Sequence, residues 1–130
     1  MEKIINITLD GPGGSGKTSI AKAIAEQLKI AYLDTGAMYR GVAYFMVGQG
    51  IDVSDEEMVK SRLDDVHLSV KRIDGEQKIY IDNNDVTPYI RTPEMSMAAS
   101  TVSKIPQVRL KLVEMQRKIA SETSCVIDGR

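Results

Sequence analysis

A single cysteine among 130 residues excludes an internal disulfide framework and makes a reducing cytoplasm the expected compartment. An excess of positive charge is missing as well. Seventeen Lys and Arg stand against eighteen Asp and Glu, and the net charge of −1 offers nothing to nucleic acid or to an anionic membrane. No apolar run approaches the roughly 20 residues that cross a bilayer. Met1-Glu2-Lys3 leads straight into an apolar strand, which leaves no room for a signal peptide. What remains is ordinary globular composition, 42% hydrophobic and 27% charged, enough chain for one domain with a core.

Against that background one stretch stands out: Gly11-Pro12-Gly13-Gly14-Ser15-Gly16-Lys17-Thr18. It follows the apolar run Ile4–Leu9 and opens a helical pattern, the strand–loop–helix setting in which G-x-x-x-x-G-K-[ST] binds phosphate. Glycines let backbone N–H groups turn inward around an anion, and the following helix N-terminus adds unpaired donors. Lys17 supplies a full positive charge for the outer phosphates, and the Thr18 hydroxyl is suited to Mg²⁺. The motif specifies a nucleotide but not a reaction.

The rest of the chain reads as an α/β alternation with one interruption. Ile20, Ile24 and Leu28, with Ala21 and Ala25, predict an apolar helix stripe behind the loop. Ile30–Leu33 reads as a second strand, followed by Asp34-Thr35-Gly36-Ala37-Met38-Tyr39-Arg40 and a helix that Gly48-Gln49-Gly50 stops. Ligands of open α/β sheets bind beyond the carboxyl ends of strands, so Asp34, Thr35 and Arg40 are expected near the glycine loop. From spacing alone Arg40 is equally a solvated helix charge. Ser54-Asp55-Glu56-Glu57 predicts a capping box, with Ser54 at the cap, opening a short acidic helix. Val66, Leu68 and Val70, the Asp74-Gly75 turn, and Ile79 and Ile81 predict an antiparallel hairpin, with His67 on its polar side. Thr92-Pro93-Glu94 starts a helix packed by Met95, Met97, Ala98, Ala99 and Val102. Pro106 starts another, with Val108, Leu112, Met115 and Ile119 along one face and Arg109 off it. Cys125 reads as a small buried hydrophobe. Asp128 closes the last apolar strand, where phosphate-loop proteins hold a carboxylate that orients a Mg²⁺-bound water. A chain that stops at such a strand is expected to be part of a longer protein.

The order of these blocks carries a resemblance. The glycine loop, Asp34 to Arg40, Ile90-Arg91-Thr92-Pro93-Glu94, Ala98-Ala99-Ser100 with Pro106 and Val108-Arg109, and Asp128-Gly129-Arg130 together resemble the bacterial cytidylate (CMP) kinases. The resemblance implies a phosphate-loop NTPase-type parallel sheet flanked by helices, with a small α/β CMP-binding insert containing the antiparallel hairpin. It implies division into 1–50, the first part of the phosphate-loop core, 51–104, the insert, and 105–130, a core helix and the third strand. The family continues past this point with further strands and a lid over ATP, which are absent here. The implied reaction is ATP- and Mg²⁺-dependent phosphorylation of CMP and dCMP. Gly11, Pro12, Gly13, Gly14, Ser15, Gly16, Lys17, Thr18 and Ser19 then hold ATP, with Lys17, Asp128 and Arg130 catalytic and Thr18 and Asp128 at the metal. Thr35, Arg40, Ser100, Arg109 and Arg130 take CMP, the serine and Arg109 reading the cytosine edge. The implied partners are small molecules alone, not nucleic acid or membrane, and the complete protein is expected to be a cytoplasmic monomer.

Two other readings share the glycine loop. A GTPase module needs a guanine-reading N-K-x-D motif, which does not occur in these 130 residues. Another nucleoside monophosphate kinase, or a fragment that binds nucleotide without turnover, is also compatible with the loop alone.

Overall fold

The computed structural model describes residues 4–10 and 17–129, without the side chains of Asp10, Lys17, Thr18 and Gly129. They form two compact units, one of Met1–Gly36 with Val113–Arg130, the other of Ala37–Leu112.

The first unit is built on three parallel strands, β1 (Asn6–Asp10), β2 (Ala31–Asp34) and β6 (Cys125–Gly129), in the order β1-β6-β2. The last strand in sequence is therefore the central one, and it reads as the sequence predicted: Cys125 and Val126 are fully buried. The isoleucine run predicts a strand from Ile4, but the ladder opens at Asn6 opposite Cys125. Ile5 is still tied on, its carbonyl accepting from Cys125 N–H at 3.0 Å and its N–H donating to Ser124 Oγ at 2.9 Å, but Ile4 and Ile5 stay 45% and 47% exposed.

Helix α1 (Lys17–Leu28) packs on this sheet with only part of the predicted stripe. Ala21 and Ala25 are buried against Tyr32 and Val126, while Ile20 is 55% and Leu28 51% exposed. Small residues bring the helix axis close to the strands, and the buried stripe is centred on the alanines, with Ile24 at its margin. The helix stops without glycine: Lys29 takes a left-handed φ of 57° and Ile30 N–H donates to the Ala25 carbonyl at 2.9 Å.

In the second unit, helix α2 (Thr35–Gly48) buries Met38, Val42, Ala43 and Met46 completely. Helix α3 (Glu56–Arg62) corrects the capping-box prediction by one residue: Asp55 is the cap, accepting from Met58 N–H. Ser54 is turned back onto Asp52 instead, its hydroxyl and N–H both donating to Asp52 Oδ1, at 2.7 and 2.9 Å.

The hairpin stands as predicted, β3 (Leu68–Ile73) antiparallel to β4 (Glu76–Ile81), with His67 exposed. Its two turn residues, Asp74 and Gly75, have φ of 53° and 79°, the positive pair that matches strand twist in two-residue hairpins. A two-residue third strand, β5 (Asn84–Asp85), pairs with β4. Thr92 caps helix α4 (Pro93–Val102), accepting from Met95 N–H at 3.2 Å. Met95, Ala98, Ala99 and Val102 form its buried stripe, whereas Met97, predicted to pack, is 74% exposed because it lies off that 3.6-residue period. Helix α5 (Pro106–Glu122) buries Val108 and Leu112 fully and Met115 and Ile119 in part.

One contact in this unit sets a steric limit. A Cβ on Gly41 of α2 would lie 2.7 Å from Leu68 Cδ1 and 2.9 Å from Ile79 Cγ2. The leucine terminus can swing aside, but the branched Ile79 methyl is fixed by its own strand. Gly41→Val is therefore expected to lower stability by about 2 kcal/mol or more, read as a reduced denaturant midpoint. An unchanged midpoint would contradict this packing.

Candidate nucleotide-phosphate site

The flanks of the glycine loop are in place: β1 ends at Asp10 and α1 begins at Lys17. Lys17 and Thr18 are the first two residues of α1, and Ser19 beside them is exposed. Gly11, Pro12, Gly13, Gly14, Ser15, Gly16 and Arg130 lie outside the described residues.

Asp128 lies near the carboxyl end of the central strand, in register with Leu9 of β1 on one side and Asp34 of β2 on the other. It is buried, with 7% of its surface exposed. Its side chain and backbone are each held from the corner where β2 turns into α2. The Tyr32 hydroxyl donates to Asp128 Oδ2 at 2.7 Å, and the Thr35 hydroxyl donates to the Asp128 carbonyl at 2.6 Å. Thr35 and Asp128 are thus brought together, and the threonine, 4% exposed, has its hydroxyl engaged within the protein. A buried carboxylate at a strand end beside a phosphate-loop helix offers hard oxygen ligation. Among the described residues no group of three or more His, Cys, Asp or Glu could cage a metal. Asp128 alone could take only part of a hard cation's shell, the rest falling to phosphate and water.

The second unit carries the other candidates. Arg40 is half-buried on α2, Ser100 is exposed on α4, and Arg109 is exposed on α5 one residue from the buried Val108. Burial pushes the Tyr39 phenol above its ordinary range, and the Arg109 guanidinium, near enough to act on it, pulls it partly back. The Ser100 carbonyl accepts from the Ser103 hydroxyl at 2.8 Å.

Two tyrosines of this arrangement escape sequence reading. Tyr32 looks like a strand hydrophobe, and only the β2–β6 register, Tyr32 opposite Val126, puts its hydroxyl within reach of Asp128 two residues on. Tyr39 precedes a singled-out arginine, but its neighbour Arg109 lies seventy residues away in sequence. No local pattern marks Tyr32, and the Asp34–Arg40 block contains Tyr39 without pointing to its neighbour Arg109.

Comparison with known proteins fits this geometry. A family model for cytidylate kinase matches residues 7–130. Over 128 residues the chain is 44% identical to a cytidylate kinase of Caldicellulosiruptor bescii, an alignment covering 98% of this chain and 57% of that one. The cytidylate kinase of Halalkalibacterium halodurans is 41% identical over 98% of the chain and 58% of its own length. That of Oceanobacillus iheyensis is 38% identical over the whole chain and 56% of its own. The chain thus spans somewhat more than half the length of these relatives. With the phosphate-loop flanks, the parallel sheet and the family match in agreement, the chain belongs to the cytidylate kinase family.

Proposed function

We propose that this chain supplies the phosphate loop and acceptor-nucleotide residues of a CMP kinase. The reaction is transfer of the ATP γ-phosphoryl group to CMP or dCMP. A phosphate oxygen of CMP attacks the γ-phosphorus, the bond to the β–γ bridging oxygen breaks, and ADP and CDP leave. The observation that carries the reading is the family match, which runs without interruption from β1 to the end of β6.

Such a transfer asks for in-line placement and positive charge more than for a protein nucleophile, which suits a chain with one histidine and one cysteine. The loop from Gly11 to Ser19 binds ATP, its amides and Lys17 meeting the phosphates. Arg40 and Arg130 grip the CMP phosphate, since a guanidinium fork binds two oxygens at once and stays charged. Thr35 lies beside the acceptor, and Ser100 and Arg109 read the base edge. Thr18 and Asp128 are the residues that would hold Mg²⁺, the aspartate through water. When bound, the ion neutralises phosphate charge as it moves toward the leaving oxygen.

The test is ADP release with CMP, dCMP, UMP, AMP and GMP in parallel. It is run on the chain and on the chain extended with the remaining length of the Caldicellulosiruptor bescii relative. In the extended chain CMP and dCMP should stimulate release well above the other three. Equal or greater stimulation by UMP or AMP would assign the chain to another acceptor.

A further inference from the structure

We propose that Tyr32 is a positioning residue for the metal-side carboxylate, an inference that rests on the role just given to Asp128. The ring of Tyr32 packs with Ala21, Ala25 and Val126 in the core of the first unit, and Lys22 Nζ lies 5.6 Å from its centroid. Packing of that kind accounts for a ring but not for a hydroxyl: phenylalanine would fill the same space. A buried hydroxyl must find a partner, and this one donates to Asp128 Oδ2 at 2.7 Å. Phenol-to-carboxylate bonds are among the stronger side-chain pairs, because the acceptor is charged.

The bond fixes how the carboxylate is rotated about its own axis. A carboxylate that orients a metal-bound water works only in a narrow range of rotations, and partners of this type tune metal affinity without touching the metal. Thr35 does the same for the backbone. The parallel ladder is ending at Asp128, and the Thr35 hydroxyl takes up the Asp128 carbonyl at 2.6 Å. The corner between β2 and α2 therefore holds Asp128 at both its side chain and its main chain. Both holds come from within a stretch of four residues, and the tyrosine opens it. Among the described residues no buried side-chain nitrogen or oxygen lacks a partner, and each of these hydroxyls donates its one proton to Asp128.

The experiment measures nucleotide binding rather than turnover. Affinities of the chain for ATP with Mg²⁺ and for ATP with chelator are determined by calorimetry for the unsubstituted protein, Tyr32→Phe, Asp128→Asn and the double variant. Tyr32→Phe should reduce the magnesium-dependent gain in affinity about 10-fold and leave metal-free binding unchanged. In the double variant it should add nothing to Asp128→Asn, because the two act as one unit. Equal loss with and without magnesium would make Tyr32 a packing residue only and overturn the proposal. So would a full magnesium gain in Tyr32→Phe alongside a reduced one in Asp128→Asn, which leaves the role of Asp128 standing. If Asp128→Asn keeps the full gain, or the unsubstituted chain shows none, the metal-side reading of Asp128 falls and this inference with it.

Discussion

Exchanging Lys17 for alanine in the extended chain is expected to lower CMP phosphorylation by roughly 10²–10³-fold, with the unfolding midpoint unchanged. Lys17 is the first residue of α1, following the glycine loop. There its ammonium would meet the β- and γ-phosphates as negative charge shifts onto the leaving oxygen. A fixed cation aimed at developing charge acts mainly in the transition state, so the loss should fall on kcat more than on either Michaelis constant. Stability is a separate matter. A lysine at the start of a helix adds nothing favourable to the helix dipole, and alanine is the better helix former. Steady-state kinetics beside a thermal melt separate the two effects. Turnover within a few-fold of the parent would remove Lys17 from the phosphate site.

The second large effect is expected at Arg109. A guanidinium paired with the cytosine edge leaves that edge unpaired when it is removed, at a cost of about 2–4 kcal/mol, or roughly 30- to 1,000-fold in kcat/KM for CMP. The Michaelis constant for ATP should hold. Because Arg109 is exposed on α5, the fold does not depend on it. The same variant has a second readout, since the Arg109 charge holds the Tyr39 phenol below the level that burial alone would set. Without it Tyr39 should ionise at higher pH, visible as a later tyrosinate absorbance step. A parallel rise in the constants for CMP and ATP, or no rise, would return Arg109 to the status of a surface charge.

The sequence displays some of these features openly and conceals others. The Thr92-Pro93 helix start and the Asp74-Gly75 hairpin are local devices, each fixed by what a few adjacent residues permit, and both can be read from the chain. Burial on α1 can be read only in part. The predicted stripe holds Ala21 and Ala25 together with Ile20 and Leu28, and only the proximity of the strands selects the alanines from it. The cap of α3 failed by one residue because Asp52 competes for Ser54, a contest between two neighbours with similar chemistry. The strand-end position of Asp128 points to a site residue, yet the two hydroxyls that hold it depend on strand register, which no stretch of sequence states by itself.

The strand order has a consequence for how the molecule is assembled. β1 and β2 share no ladder; the strand between them, β6, lies far downstream of both in the chain. Cys125 and Asn6, in contact across that ladder, are 119 residues apart, and Tyr32 and Asp128 are 96 apart. On a ribosome, the strand leading into the phosphate loop therefore emerges long before anything can pair with it. The Ala37–Leu112 unit, contiguous and closed by a tight hairpin, needs no such wait. Closing the long loops costs entropy that grows only slowly with their length, but it must be met before any strand contact compensates. The sheet that carries the candidate phosphate site is thus begun before the Ala37–Leu112 unit emerges and closed only after it.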